Sequence, residues 1–167
     1  KTFGGNGDDC GRSIQQTSDG GYIIAGNSSS YSVDVDEVYL IKTDANGNSQ
    51  YTKTIYGNGD VEGNSVLQTS DGGYIILGST YSLVTENYDI YIIKTDEFGN
   101  TISSKTFGGN NDDFGNFVEQ STEGGYIIVG TTYSFDSGSS EVYLIKTDAN
   151  GLSANENNTF SGSFYQI

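Results

Sequence analysis

The side chains able to do chemistry in this chain are acids, amides and phenols. Asp and Glu number 22 against 7 Lys and Arg, histidine is absent, and Cys10 is the one cysteine. Without histidine no Ser-His-Asp or Cys-His relay can form, and the commonest transition-metal ligand is missing. Paired carboxylates can hydrolyse a glycosidic bond, but no pair is singled out by spacing, so a glycosidase-like enzyme is the weakest reading. The sequence points to a protein that is not an enzyme.

Three sets of residues recur along the chain. The first is Asn6, Asp8 and Asp9, then Asn58 and Asp60, then Asn110, Asp112 and Asp113. Carboxylate and carbonyl oxygens on turn-rich loops suit Ca²⁺, which makes these the candidate metal ligands. Their spacing departs from the D-x-[DN]-x-[DN]-G loop, and Asx-turns organise such loops without metal; no cofactor is required. The second set is Tyr31, Tyr81 and Tyr133 among Ser, Thr and acids. A phenol beside polar groups stacks on a sugar ring or anchors a protein interface, so these are the candidate ligand-binding residues. The third is Lys42, Lys94 and Lys146, each before Thr-Asp; their recurrence predicts an ion pair between neighbouring repeats. Asn27 and Asn157 stand in glycosylation sequons. Cys10 reads either as a small buried residue or as half of an intermolecular disulfide.

A repeat must position these groups. Lys-Thr-Phe-Gly-Gly-Asn at residue 1 returns as Lys-Thr-Ile-Tyr-Gly-Asn at 53 and Lys-Thr-Phe-Gly-Gly-Asn at 105, a constant spacing of 52 residues. The units are therefore 1–52, 53–104 and 105–151, followed by a divergent tail, 152–167. Each copy holds strand-like runs: A at 12–17, 64–69 and 116–121; B at 22–26, 74–78 and 126–130; C at 38–43, 90–95 and 142–147; and D at 49–55 and 101–107. Asp19-Gly20 and Asp71-Gly72 mark A–B hairpins, with the Asp holding the turn, and Gly47 fits a left-handed position between C and D. The B–C connections, 27–37, 79–89 and 131–141, are the longest and most varied, where recognition normally lives. No segment keeps a helical apolar period. Four short antiparallel strands per repeat predict an all-β chain of β-propeller-type blades with an extra C-terminal strand.

Thr17-Ser18-Asp19-Gly20-Gly21-Tyr22-Ile23-Ile24-Ala25-Gly26, Val38-Tyr39-Leu40-Ile41-Lys42-Thr43-Asp44-Ala45-Asn46-Gly47 and Lys105-Thr106-Phe107-Gly108-Gly109 resemble the tandem propeller repeats of secreted and surface proteins in bacteria and archaea, of the seven-bladed type. Where the fourth strand of such repeats often carries Trp, this chain has Tyr51 and Ser103. The resemblance implies an extracellular or cell-surface module in adhesion, scaffolding or recognition, and no catalytic site.

Three blades are fewer than the four to eight that close a ring, and an open array exposes sheet edges and an apolar face. The chain is therefore expected to associate with itself, as a completed ring or a filament, or to belong to a longer array. Lys1, Thr2 and Phe3 read as the end of a strand D. Thr159 to Ile167 reads as a pairing strand with Phe160 and Phe164 on one face and Ile167 at its end. These are the candidate assembly residues. Carbohydrate or another protein is the alternative partner. A net charge of -15 argues against nucleic acid and anionic lipid, and no apolar run reaches the roughly 20 residues of a spanning helix. Lys1 in the place of a Met predicts a processed or truncated N-terminus.

Overall fold

The Tyr-Ile-Ile and Val-Tyr-Leu-Ile clusters form strands because β-branched and aromatic side chains fit a pleated, half-buried surface. A computed structural model describes residues 1–32, 34–57, 59–135 and 139–152 and is all-β, with no helix among them. Sheet 1 holds β1 (Asp9–Gln16), β2 (Tyr22–Ser28), β3 (Glu37–Thr43) and β4 (Ser49–Ile55) in that order. Sheet 2 repeats it with β5 (Val61–Gln68), β6 (Tyr74–Ser82), β7 (Asn87–Thr95) and β8 (Thr101–Phe107). Sheet 3 holds β9 (Asp113–Gln120), β10 (Tyr126–Thr132) and β11 (Glu141–Lys146). Neighbouring strands are antiparallel throughout. Val33, Asn58, 136–138 and 153–167 lie outside the described residues, and with them the expected terminal strand, Phe160, Phe164, Ile167 and Asn157.

Two boundaries differ from the sequence reading. Strand A starts at Asp9 and Val61, not at 12 and 64, because bulges at Gly11/Ser13 and Gly63/Ser65 absorb one residue and let pairing continue. In copy 2 the long B–C loop shrinks to residues 83–86, since Tyr81 pairs with Tyr88 and Ser82 with Asn87. The two tyrosine rings lie 5.1 Å apart and extend the ladder as a cross-strand pair. Tyr81 is therefore a strand residue.

The hairpin turns follow the sequence closely. Gly20, Gly72 and Gly124 have φ of 82°, 89° and 89°, and each N–H donates to the carbonyl three residues earlier. Only the glycine is left-handed, so the turn is a type I turn closed by glycine. Gly47, Gly99 and Gly151 do the same between C and D, where Asp44, Asp96 and Asp148 each accept two backbone N–H groups.

Successive sheets pack face to face: β5 lies against β1, β2 and β3, and β9 against β5, β6 and β7. They close into no barrel or ring among the described residues. Each seam has its own core. Ile23, Ala25, Val38 and Leu40 of sheet 1 meet Val66, Tyr74, Ile76 and Ile93 of sheet 2. Ile75, Leu77, Ile90 and Ile92 of sheet 2 meet Val118, Tyr126, Ile128 and Ile145 of sheet 3. Each sheet thus has a forward face and a back face, set by the period-two alternation of its strands.

Candidate functional site

The recurrent lysines were expected to bridge repeats, and the structure corrects this. Lys42 Nζ lies 2.8 Å from Asp19 of its own copy, Lys94 3.0 Å from Asp71 and Lys146 2.6 Å from Glu123. The reason is register. Tyr22 pairs with Thr43, which sets the end of strand C beside the A–B turn of the same sheet. Asp19 also accepts from Thr17 Oγ1 and Gly21 N, and Asp71 from Thr69 Oγ1 and Gly73 N. Lys42, Thr17 and Gly21 hold Asp19 well below the usual carboxylate range. Thr69 and Lys94 hold Asp71 down to about 2. In copy 3 the longer Glu123 reaches out to Lys146, and Ser121 Oγ, the counterpart of Thr17, is buried without a partner.

The candidate metal acids act as connectors within and between copies. Asp8, Asp60 and Asp112 accept through their backbone oxygens from Ser29, Tyr81 and Tyr133 N–H of their own copy. Asp60 Oδ1 accepts from Asp36 N, and Asp112 Oδ1 from Tyr88 N, both in the preceding copy. Asp9 takes hydrogen bonds from Ser28, Ser30 and Gly5 N; burial pushes its carboxyl up, and those bonds bring the net shift below the usual value. Asn6 and Asn110 are exposed on the same rim. Among the described residues no three acidic or cysteine side chains converge as a metal site would need.

One cluster escaped the sequence reading. Glu37, Asp89 and Glu141 put an acid at the head of every strand C, and that recurrence at the edge of an apolar run was the available signal. Glu37 is fully buried with neither carboxylate oxygen partnered. Asp89 sits beside Asp113: a carbon added at Gly108 would lie 1.9 Å from Asp89 Oδ1 and 2.8 Å from Asp113 Oδ2. Asp113 Oδ2 accepts from Gly109 N and Ser134 Oγ, while Asp113 Oδ1 and Asp89 Oδ1 are buried without partners. Burial, and then the Asp113 charge, push Asp89 up.

The three tyrosines do not form one set. Tyr31 is 47% exposed, with its hydroxyl 3.3 Å from that of Tyr39. Tyr81 packs on Tyr88 in the strand ladder. Tyr133 is 45% exposed at the end of β10. In repeat register Tyr81 matches Tyr133, whereas Tyr31 matches Leu83 and Phe135. The Asn27 amide is buried and committed, accepting from Arg12 and donating to Asp36. Cys10 is exposed, against the buried alternative. Among the described residues the back face of sheet 1 carries no sheet in front of it.

That open back face has a counterpart at the other end of the array. Ile14 is 63% exposed, whereas its equivalent Val66 is 5% exposed within the first seam. Val142 is 79% exposed, whereas its equivalent Val38 is fully buried. Leu144 is exposed where Leu40 and Ile92 are buried. Lys1 Nζ donates to Asn46 O and Asn48 Oδ1 at the C–D turn of sheet 1, as Lys53 Nζ donates to Asn100 Oδ1 of sheet 2. Residues 1–3 thus lie where the fourth strand of a preceding sheet would end. No helix among the described residues is long and apolar enough to cross a membrane. No protein-family model and no curated protein matches the chain.

Proposed function

We propose that the chain is a non-catalytic structural module of propeller-type blades, working outside the cell or at its surface, that associates through its open sheet faces and terminal strands. The single observation that carries this reading is that Ile14, Val142 and Leu144, the repeat equivalents of buried seam residues, stand solvent-exposed on the two outer faces. Apolar patches of that kind favour association. The stacking of β5 on sheet 1 and of β9 on sheet 2 supports blades arranged in series. Asp113, which lies beside Asp89, is fully buried, which favours a structural role for this acid pair over glycoside hydrolysis. The reading needs no cofactor; a rise in melting temperature on adding Ca²⁺ would reassign the rim acids to a cation. Mass measured by light scattering across a concentration series tests the proposal. A species heavier than the 17.8 kDa chain is expected, and a monomer at every concentration overturns it. The terminal strand is part of the same reading, and deleting residues 158–167 is expected to weaken the assembly.

A second reading is favoured by the exposure of Tyr31 and Tyr133: a carbohydrate- or protein-binding module using the B–C rim. Glycan binding lost on Tyr31→Ala and Tyr133→Ala would select it.

A further inference from the structure

The self-association proposed above leaves open which surface meets which, and the seams contain the answer. In each seam a valine or isoleucine at the head of strand C seats against a glycine in the next sheet's strand A. A carbon added at Gly63 would lie 3.1 Å from Val38 Cγ1 and 2.9 Å from Gly26 O. A carbon added at Gly115 would lie 3.1 Å from Ile90 Cγ2 and 2.5 Å from Gly78 O. The equivalent glycine of sheet 1, Gly11, has nothing in front of it: an added carbon would meet only Ile24 Cγ2 of its own sheet, 3.8 Å away. It forms part of a pocket of about 130 Å³ lined with Phe3, Cys10, Gly11, Ile24, Tyr39 and Ile41. The equivalent side chain of sheet 3, Val142, is 79% exposed on a forward face that no sheet covers among the described residues. The chain thus carries an empty socket at one end and an unseated knob at the other, matched by its own repeat.

Two further features fit the same seating. β4 pairs with β3 as Ile55↔Val38, Thr54↔Tyr39 and Lys53↔Leu40, and β8 pairs with β7 in the same register, Phe107↔Ile90, Thr106↔Tyr91 and Lys105↔Ile92. Residues 1–3 are the repeat equivalents of 53–55. β11 is an edge strand of sheet 3 among the described residues. Asp60 and Asp112 each accept from a backbone N–H of the preceding copy, and Asp8 is their repeat equivalent.

We propose that a second copy of this chain docks head to tail, Val142 of one chain seating at Gly11 of the other, with Phe3, Thr2 and Lys1 adding to the β11 edge opposite Val142, Tyr143 and Leu144. Asp8 of one chain then accepts from Ser140 N–H of the other. Two copies of the three described sheets make six, the multiple of three that falls within the four to eight of closed rings, so the assembly is a pair closed by two identical heterologous contacts. Each chain carries a net charge of -15. Moving from low to physiological salt therefore tightens the pair by screening its repulsion.

The inference rests on the self-association reading, and a mixing experiment separates their failures. Val142→Asp blocks the knob and Gly11→Val blocks the socket. Both positions are exposed in the single chain, so both variants are expected to keep the wild-type circular dichroism spectrum. Expected by analytical ultracentrifugation are a two-chain wild type, a monomer for each variant alone, and a one-to-one complex when the two variants are mixed at high concentration. A monomeric wild type overturns self-association itself. An assembled wild type with either variant still pairing alone shows like face on like face, which overturns the head-to-tail contact but not self-association. A wild-type mass that climbs without limit overturns the closed pair.

Discussion

Across the seam between sheets 1 and 2, Glu37 is buried beside a strand that begins with Val61, whose N–H donates to Asp36 O. Across the seam between sheets 2 and 3, the equivalent Asp89 lies beside Asp113, and the pair leaves two buried oxygens without partners. The apolar halves of the seams are otherwise superposable position by position, with Ile76 and Ile128 fully buried in each. The backbone plan therefore tolerates either one buried acid or two at the same place. What differs is the electrostatic cost, because burial, and then the Asp113 charge, disfavour the ionised form of Asp89.

The largest expected effect tests the shared part. Ile76→Ala and Ile128→Ala should each cost about 3–4 kcal/mol by loss of burial and cavity formation, measured by chemical denaturation. A difference between them of more than about 1 kcal/mol would break the equivalence of the two seams. Next comes moving the acid pair. Val61→Asp should destabilise by about 2–3 kcal/mol at neutral pH, since it adds a buried charge beside Glu37 and removes a buried apolar side chain.

The reverse change sharpens the contrast. Asp89→Asn should stabilise by about 1–2 kcal/mol at pH 7, because the amide can donate to the unpartnered Asp113 oxygen. The pH dependence has a definite sign. A carboxyl whose folded pKa is raised costs stability above that pKa and nothing below its ordinary value near 3.8. The advantage of Asp89→Asn should therefore shrink as pH falls into the carboxylate range. Asp19 and Asp71 act oppositely. Their lowered pKa values contribute stability above the ordinary carboxylate pKa, and for Asp71 this is lost as pH falls from about 4 towards about 2. Thermal melts of wild type and Asp89→Asn from pH 7 to pH 3 check both signs.

The smallest effect lies at the outer strands. Tyr51 Oη donates to Glu97 O at 3.1 Å across the first seam, whereas Ser103 Oγ stands 3.5 Å from Asn150 O across the second. Tyr51→Phe should cost about 1 kcal/mol and Ser103→Ala less than about 0.5 kcal/mol. Equal costs would show that the longer contact is a true hydrogen bond.

Much of this was legible in the residues. The 52-residue spacing, the strands built on Tyr22-Ile23-Ile24 and its equivalents, and the Asp19-Gly20 and Gly47 turns are local, and local sterics and hydrogen bonding decide them. The hairpin role of Asp19 followed from its distance to Thr17 and Gly21 in sequence. The partner of Lys42 did not, since 23 residues separate it from Asp19 and only the β2–β3 register joins them. The meeting of Asp89 with Asp113 was equally hidden, although the recurrence of Glu37, Asp89 and Glu141 was visible. Tyr31, Tyr81 and Tyr133 looked alike as loop phenols until strand pairing drew Tyr81 into the ladder.

The sequence by itself determined that the chain is a threefold repeat of short antiparallel strands, because period-two alternation and turn chemistry act over a few residues. Only the tertiary structure decided which face of each sheet is covered. Ile14 and Val66, or Val142 and Val38, are equivalent apolar residues in the same local setting. Whether such a side chain is core or surface depends on whether another sheet stands in front of it.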